Sequence, residues 1–382
     1  MKIYLDNAAT TKVSNEVLKA MTPYFTEKYG NASSLHSFGQ EAKEAIENAR
    51  KIIAKSINAE PEEVIFTSGG TESDNIAIKE YAFSKKKGHI ITSKIEHPAV
   101  LETCKFLEAV GFKLTYLEVN EQGLIDPVHL KRAITKDTIL VSIMHANNEI
   151  GTIQNIEEIG KICKKNKIIF HTDAVQSYTK LPIDVKKQNI DLMSLSAHKI
   201  HGPKGIGALF VKKGTKIGSL MHGGGHEFGL RSGTENISGI VGFAEAVKIS
   251  NNSDIKKMTK LRDYIIKRLL KIPETMLNGH KIKRLCNNIS VGFKYIEGEA
   301  LSLFLDSKGI AVSTGSACSS KSLEASHVLL ALGLKPEEAH GSLRLTLSKY
   351  TTKEEIDYAL NYIETSVSAL RKISPLWSDN NV

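Results

Sequence analysis

From about residue 60 to 212 the chain alternates short apolar, β-rich runs with amphipathic helical patterns, and no other feature restricts its fold as much. The strand candidates are EVIFTS (63–68), HIITS (89–93), KLTYL (113–117), TILVSIM (138–144), KIIFHTD (167–173), DLMSLS (191–196) and ALFV (208–211). Several are apolar nearly throughout, as strands buried on both faces must be. Helical patterns at 71–84, 98–110 and 155–165 fall between them. The alternation predicts an α/β fold with a mainly parallel, helix-covered sheet. In such sheets ligands bind beyond the carboxyl ends of the strands.

A polar break, SNNSD (250–254), ends this region. A charged helix pattern follows over 255–271, then NNISVGF, a helix near 297–308, IAVS and the alternating run SLRLTLS, which together predict a smaller α+β unit. A chain of 382 residues is long enough for two such units. Hydrophobic residues are 41% and charged residues 24%, ordinary for a soluble globular protein. The start, MKIYLDNAATT, puts Asp6 where an export signal needs its apolar core. No apolar run approaches the roughly 18 residues that span a bilayer. A cytoplasmic protein without membrane contact is expected. The formal charge of +9 comes mostly from lysines in short groups such as KKK (85–87) and CKKNK (163–167). Without a basic aromatic strip or zinc spacing these read as a solvated surface, so stable nucleic-acid binding is not expected.

Six stretches carry candidate chemistry. In SLSAHKIHGPKG, Lys199 follows a buried strand; an isolated lysine in a loop would read as a surface residue, but a lysine near apolar strand ends can lose its proton and condense with a carbonyl, and its neighbours favour that reading. Ser196 and His198 just before it offer donors for a phosphate. In FTSGGTES, glycines join a strand to a helix start, where backbone N–H groups favour an anion, and Thr71 adds a hydroxyl. In IFHTDAVQS, Asp173 ends a buried strand, where it serves either as a helix N-cap or as partner to a protonated ring nitrogen, with Gln176 three residues on. HANNEIGT places Asn148 after a strand, and KIEHPAV places His97 before a helix. In GSLRLTLSK, Leu343, Leu345 and Leu347 share one strand face while Ser342, Arg344 and Thr346 share the other, and Arg344 can grip a carboxylate or lie on the surface. The glycine-rich HGGGHEFGLRSGTEN holds Arg231 and Thr234, suited to a phosphate or a subunit interface.

Four cysteines are present and none form a C-x-x-C pair. Cys104 and Cys163 fall on helix faces, and Cys286 precedes an apolar run, so all three read as packing. Cys318 differs: it sits in VSTGSACSSKS, among small polar residues that read as a loop.

A lysine for a Schiff base, an aspartate for a pyridinium, a phosphate cup, a stacking histidine and a carboxylate-binding arginine are the equipment of a pyridoxal phosphate enzyme acting on an amino acid. Nearly the whole chain, from YLDNAATT to SPLW, resembles the cysteine desulfurases of the NifS/IscS kind, in the class V aminotransferase superfamily with fold type I. The motifs that carry the resemblance are GNASSLHSFG, TSGGTESDN, EHPAV, HANNEIGT, HTDAVQS, SAHKIHGPKG, GGGHEFGLRSGTEN, STGSACSS and SLRLTLSKYTT, several of them closer to the NifS side.

The resemblance implies a large pyridoxal 5'-phosphate-binding domain over 14–254 with a seven-stranded sheet. A small domain of 1–13 with 255–382 would carry the Cys318 loop. Lys199 would hold the cofactor and move a proton, Asp173 would pair with the ring nitrogen, Gln176 with the ring hydroxyl, and His97 would stack on the ring. Gly70, Thr71, Ser196 and His198 would hold the phosphate, and Thr234 would reach the neighbour's phosphate in a homodimer. Asn148 and Arg344 would position the substrate, L-cysteine. Cys318 would take its sulfur as a persulfide, leaving alanine, and pass it to an iron–sulfur scaffold protein. A free thiol has a pKa near ~8.5 and needs local help to become a thiolate, and a small-residue loop gives it travel. No metal site is expected, and transient iron–sulfur ligation by Cys318 stays open. Gly70 stands where many relatives have alanine, Thr314 where serine is common, and the chain ends at Val382, where some relatives continue. A plain aminotransferase, a selenocysteine lyase and a non-catalytic carrier are the competing readings. Cys318 opposes the first, and Lys199, Asp173 and His97 together oppose the last.

Overall fold

The computed structural model describes residues 1–314 and 325–377. Its strands in chain order begin with β1 (Ile3–Tyr4), β2 (Val64–Thr67), β3 (His89–Ser93), β4 (Lys113–Leu117), β5 (Thr138–Ser142) and β6 (Ile169–Asp173). They continue with β7 (Leu192–Ser196), β8 (Gly207–Val211), β9 (Thr275–Leu277), β10 (Asn288–Phe293), β11 (Ile310–Ala311) and β12 (Ser342–Thr346). The seven strands expected between 63 and 211 form one sheet in the order β2-β8-β7-β6-β5-β3-β4. All run parallel except β8, which pairs antiparallel with both neighbours. Only residues 197–206 separate β7 from β8, too few for the crossover that a parallel neighbour needs.

Every strand of this sheet except the edge strand β4 is buried on both faces. Val64, Phe66, Val141, Phe170, Met193, Leu195 and Phe210 pack into one apolar core, while Ile65, Leu140, Leu192 and Leu209 pack into the core on the opposite face. This two-sided burial is the physical cause of the unbroken apolar runs. Helix Ser37–Ser56 covers the first face through Ile46, Ala49 and Ile53. On the second, the helix Gly70–Asn75 continues through a π-helical turn at Ile76–Glu80 into Tyr81–Lys85. Helix Pro98–Ala109 lies beside it and buries Cys104. Cys163 packs into the first core from helix Ile156–Lys165.

A further core gathers β9, β10 and β12 with helices Asn252–Leu269, Gly298–Ser307 and Lys353–Ile373, and it holds Cys286, Leu343, Leu345 and Leu347. Ile3 and Leu5 belong to this core, because β1 pairs in parallel with β11. The N-terminal segment therefore starts on one core and crosses to the other. Among the described residues no helix is long and apolar enough to cross a membrane.

One buried ion pair pins the glycine-rich 222–236 segment. Arg50 donates from both terminal nitrogens to Glu227, each at 2.8 Å, and also to the Val64 carbonyl at 2.6 Å. Its guanidinium lies 4.9 Å from the Phe66 ring centroid and 5.0 Å from that of Phe228. Glu227 in turn accepts the Phe66 N–H at 2.7 Å. Breaking such a pair leaves an uncompensated buried charge. Glu227→Ala should therefore cost about 3–5 kcal/mol in urea unfolding of the cofactor-free protein. A loss below about 1 kcal/mol, the range of an exposed pair, would contradict this assignment.

Candidate active site

The residues singled out in the sequence follow the carboxyl ends of five different strands. Gly70 and Thr71 come after β2, His97 after β3, Asn148 after β5, Asp173 and Gln176 at and after β6, and Ser196, His198 and Lys199 at and after β7. With β8 running the other way, these ends share one edge of the sheet, where α/β sheets form their ligand crevice. The approach of these turns is close. A Cβ on Gly70 would stand 2.8 Å from Val175 Cγ2 and 4.0 Å from Ser196 Cβ. Val175 thus occupies the room that an alanine at position 70 would need. Gly207 at the start of β8 has no space either, with Gly69 Cα 2.7 Å from where its Cβ would be. Ser196 is buried, and among the described residues its hydroxyl has no hydrogen-bond partner.

Lys199 reaches the N-terminal segment. Its Nζ donates to the carbonyls of Ala8 at 2.6 Å and Ala9 at 2.7 Å. Gln176 Nε2 donates to the same Ala8 carbonyl at 2.9 Å. His198 Nδ1 lies 3.1 Å from the Thr10 hydroxyl, and the His198 carbonyl accepts from the Thr11 N–H and hydroxyl, both at 2.9 Å. Burial, then the nearby lysines 199, 204 and 180, pushes the His198 imidazole down to about 4.

His97 caps helix Pro98–Ala109, its Nδ1 accepting the Ala99 N–H at 3.1 Å. That acceptance places the neutral ring's proton on Nε2. Burial, followed by Lys199 and His327, pushes His97 down to about 4, so the ring is neutral at pH 7. Asp173 Oδ1 accepts the Val175 N–H at 2.8 Å. Burial raises its carboxyl to about 6, against the pull of that N–H and of the Lys199 ammonium. Lys199 therefore lies close enough to both His97 and Asp173 to shift their titration, although the three come from three strand ends. Glu96, beside His97, is also buried; it accepts the Met144 N–H at 3.0 Å on both oxygens and the Ser93 hydroxyl at 2.6 Å. Burial raises it to about 8.

On the opposite wall stands Arg344, 2% exposed, so the surface-arginine alternative falls. It donates to Asp6 at 2.8 Å and to the Asn148 carbonyl at 3.3 Å, and among the described residues its buried Nε has no partner. Asn288 fastens the same turn, donating to the carbonyls of Asn148 at 3.3 Å and Glu149 at 3.1 Å. Backbone bonds between Arg344 and Ser313, at 2.7 and 3.2 Å, set Arg344 beside the chain that leads towards Cys318. Cys318 itself lies outside the described residues. Thr234 is exposed, and among the described residues no hydrogen bond ties it to the Lys199 group. Arg231 instead holds Glu72 at 2.9 Å. Missing from the sequence reading were the roles of Asp6, Ala8, Ala9 and Thr10. Their signal was the unbroken LDNAATT motif, whose working atoms are mostly main-chain carbonyls.

The profile described as "Aminotransferase class-V" matches residues 3–359. The chain is 54% identical over 380 residues to "Cysteine desulfurase IscS" of Dictyoglomus turgidum, covering 98% of this chain and 96% of that protein. It is 55% identical over 379 residues to the protein of the same name from Methanosarcina thermophila, covering 98% and 94%. Among solved structures, a "NifS-like protein" superimposes with a TM-score of 0.91 at 44% identity, over 97% of this chain and 100% of that one. "SspA in complex with cysteine" gives 0.84 at 40% identity, over 92% and 100%.

Glu96 yields a pH test. Its carboxyl rises from an ordinary 4.5 to about 8 on folding. Between those values the folded protein keeps a proton that the unfolded chain has released. The stability this provides is full below pH 4.5 and is lost as pH rises through 8. Glu96→Gln is neutral throughout. The melting temperature of the cofactor-free variant minus that of the native protein should therefore grow between pH 5 and pH 8. A constant difference would mean that Glu96 does not hold its proton.

Proposed function

This chain belongs to the class-V aminotransferases, on their cysteine desulfurase branch, and from that membership we propose that Lys199 and Cys318 divide the work of removing sulfur from L-cysteine. The family depends on pyridoxal 5'-phosphate, and the residues here fit that group. A buried hydroxyl without a partner among the described residues, Ser196 Oγ, sits beside the glycine start of helix Gly70–Asn75, a cradle for a phosphate. Asp173, a buried carboxyl that burial raises to about 6, suits a protonated ring nitrogen, which would favour its ionised form. Neutral His97 suits a face-to-face contact with the ring. The observation that carries the reading is the nearness of the Lys199 ammonium to both His97 and Asp173, which come from three strand ends at one edge of the sheet.

Bound there, the cofactor would draw electrons from the substrate's α-carbon, the chemistry that loosens its sulfur. Lys199 would hold the cofactor and carry a proton at Nζ, exchanging the Ala8 and Ala9 carbonyls for it. Gln176 would turn its amide to the ring hydroxyl, and Thr71 and His198 would join Gly70 and Ser196 at the phosphate. Arg344, with Nε still to pair, would take the substrate carboxylate, and Asn148 would orient the substrate beside it. The Cys318 thiol would accept the sulfur. L-Cysteine and the thiol become alanine and a Cys318 persulfide, the thiol's proton ending on the alanine methyl, so atoms and charge balance. The persulfide would pass to an iron–sulfur scaffold protein in the cytoplasm.

The same reading divides the chain into a cofactor unit over 14–254 and a unit of 1–13 with 255–382; the separate apolar cores, with Ile3 and Leu5 in the latter, support it. It also pairs two copies, with Thr234 reaching the partner's phosphate. Supporting that is an exposed apolar stretch near the N-terminus containing Phe25, Tyr29, Leu35 and Phe38.

Native protein loaded with pyridoxal phosphate and given L-cysteine and a thiol reductant should release alanine. Cys318→Ser should release less by on the order of a hundredfold or more, with the cofactor's visible band retained. Equal alanine from both would show that sulfur leaves without Cys318, as in a lyase. No alanine from the loaded native protein would sink the desulfurase reading.

A further inference from the structure

Lys180 is a lysine that neither the motifs nor the proposed roles account for. It lies in HTDAVQSYTKLP, seven residues after Asp173, and the residue before it has an unusual backbone. Thr179 has φ +61°, in the left-handed region that β-branched residues rarely enter. The Ser177 carbonyl accepts the N–H groups of both Lys180 and Leu181 at 2.9 Å. This tight turn folds the Lys180 side chain back under the β6 turn. Its Nζ donates to the Gln176 carbonyl at 3.0 Å and to the Lys199 carbonyl at 3.2 Å.

Those two carbonyls belong to residues whose side chains meet elsewhere. Gln176 Nε2 and Lys199 Nζ both donate to the Ala8 carbonyl. One ammonium thus holds two backbones, and one carbonyl receives the two side chains those backbones carry. Among the described residues no main-chain N–H reaches the Gln176 carbonyl. Burial lowers the Lys180 ammonium to about 8, which leaves it mostly charged at pH 7. Beyond it lies a cavity of only about 50 Å³, lined among others by Thr11, Lys199, His201, Asp254 and Asn287. That volume admits water and excludes a cofactor.

We infer that Lys180 is a positioning residue: it ties the turn after β6 to the turn after β7 and so sets Lys199 and Gln176 on the cofactor pocket together. This rests on the reading of Lys199 as the cofactor lysine. Reactivity depends steeply on such placement, where an error near 1 Å costs on the order of a hundredfold. Removing the tie should slow capture of the cofactor at Lys199 before it affects the fold.

The test adds pyridoxal phosphate to cofactor-free protein and follows the growth of the visible absorption band, beside a thermal melt. Lys180→Met should melt close to the native protein yet gain the band roughly tenfold more slowly or worse. Its kcat for alanine release should fall with KM nearly unchanged. Band growth at the native rate would overturn the inference. Should Lys180→Met not fold, Lys180→Gln, which keeps a donor for one carbonyl, should slow band growth by a smaller factor. Native-rate growth in that variant, or its failure to fold as well, would make Lys180 purely structural and overturn the inference. A native protein that gains the band but releases no alanine counts against the desulfurase reading alone, and the comparison of rates still decides the role of Lys180.

Discussion

The Lys199 ammonium rests on the carbonyls of Ala8 and Ala9, and the rest of the site is arranged around that contact. Neither alanine belongs to the sheet that carries Lys199. The segment that holds them begins in β1, paired with β11, and is anchored by Asn7 and the Ala8 N–H to β12, at the Thr346 carbonyl and hydroxyl. A lysine from the parallel sheet therefore finds its acceptors on a strap from the second core. The strap also delivers Asp6 to Arg344 and Thr10 to His198. Three groups proposed to bind different parts of cofactor and substrate are thus registered by one short segment built around the turn at Asn7–Ala9. Any shift between the two cores would be felt at Lys199, Arg344 and His198 at once.

Below this layer the protein buries an unusual number of titratable groups. Asp74 is raised well above the carboxylate range by burial and by Asp173. Glu96 and Asp173 are raised as well, and His171, between Asp74 and the hydroxyls of Ser142 and Ser194, is held neutral by burial. Removing water disfavours every charged form, so acids rise and imidazoles fall. The consequence is that Asp74, Glu96 and His171 form a largely neutral surround for Asp173. A cationic ring nitrogen arriving above Asp173 would add to the pull of the Val175 N–H and the Lys199 ammonium and favour the ionised carboxylate further, with Glu96 and Asp74 staying protonated behind.

Strand positions were legible because burial on both faces leaves unbroken apolar runs such as VIF at 64–66 and ILV at 139–141. Candidate site residues stood out where a polar side chain interrupts the end of such a run, as Asp173 and Ser196 do. The antiparallel β8 was not, since the length of a connection decides direction and the ALFV run looks the same either way. Ala8 and Ala9 were hidden because their carbonyls do the work and any residue has a carbonyl. Lys180 was hidden for the same reason, its acceptors being the backbones of Gln176 and Lys199. Arg344 stood on the polar face of its strand, and only packing against Asp6 and Asn148 shows that face to be interior. Cys318 was conspicuous for the opposite reason, having no apolar neighbours that would explain a thiol as packing.

The central claim is that Lys199, among the chain's many lysines, is the residue that holds the cofactor. Loading the native protein with pyridoxal phosphate, reducing it with borohydride and locating the fixed label by peptide mass spectrometry tests this directly. One label per chain on the peptide containing Lys199, absent from Lys199→Ala, is the predicted result. A label on Lys180, or one scattered over surface lysines, would contradict it.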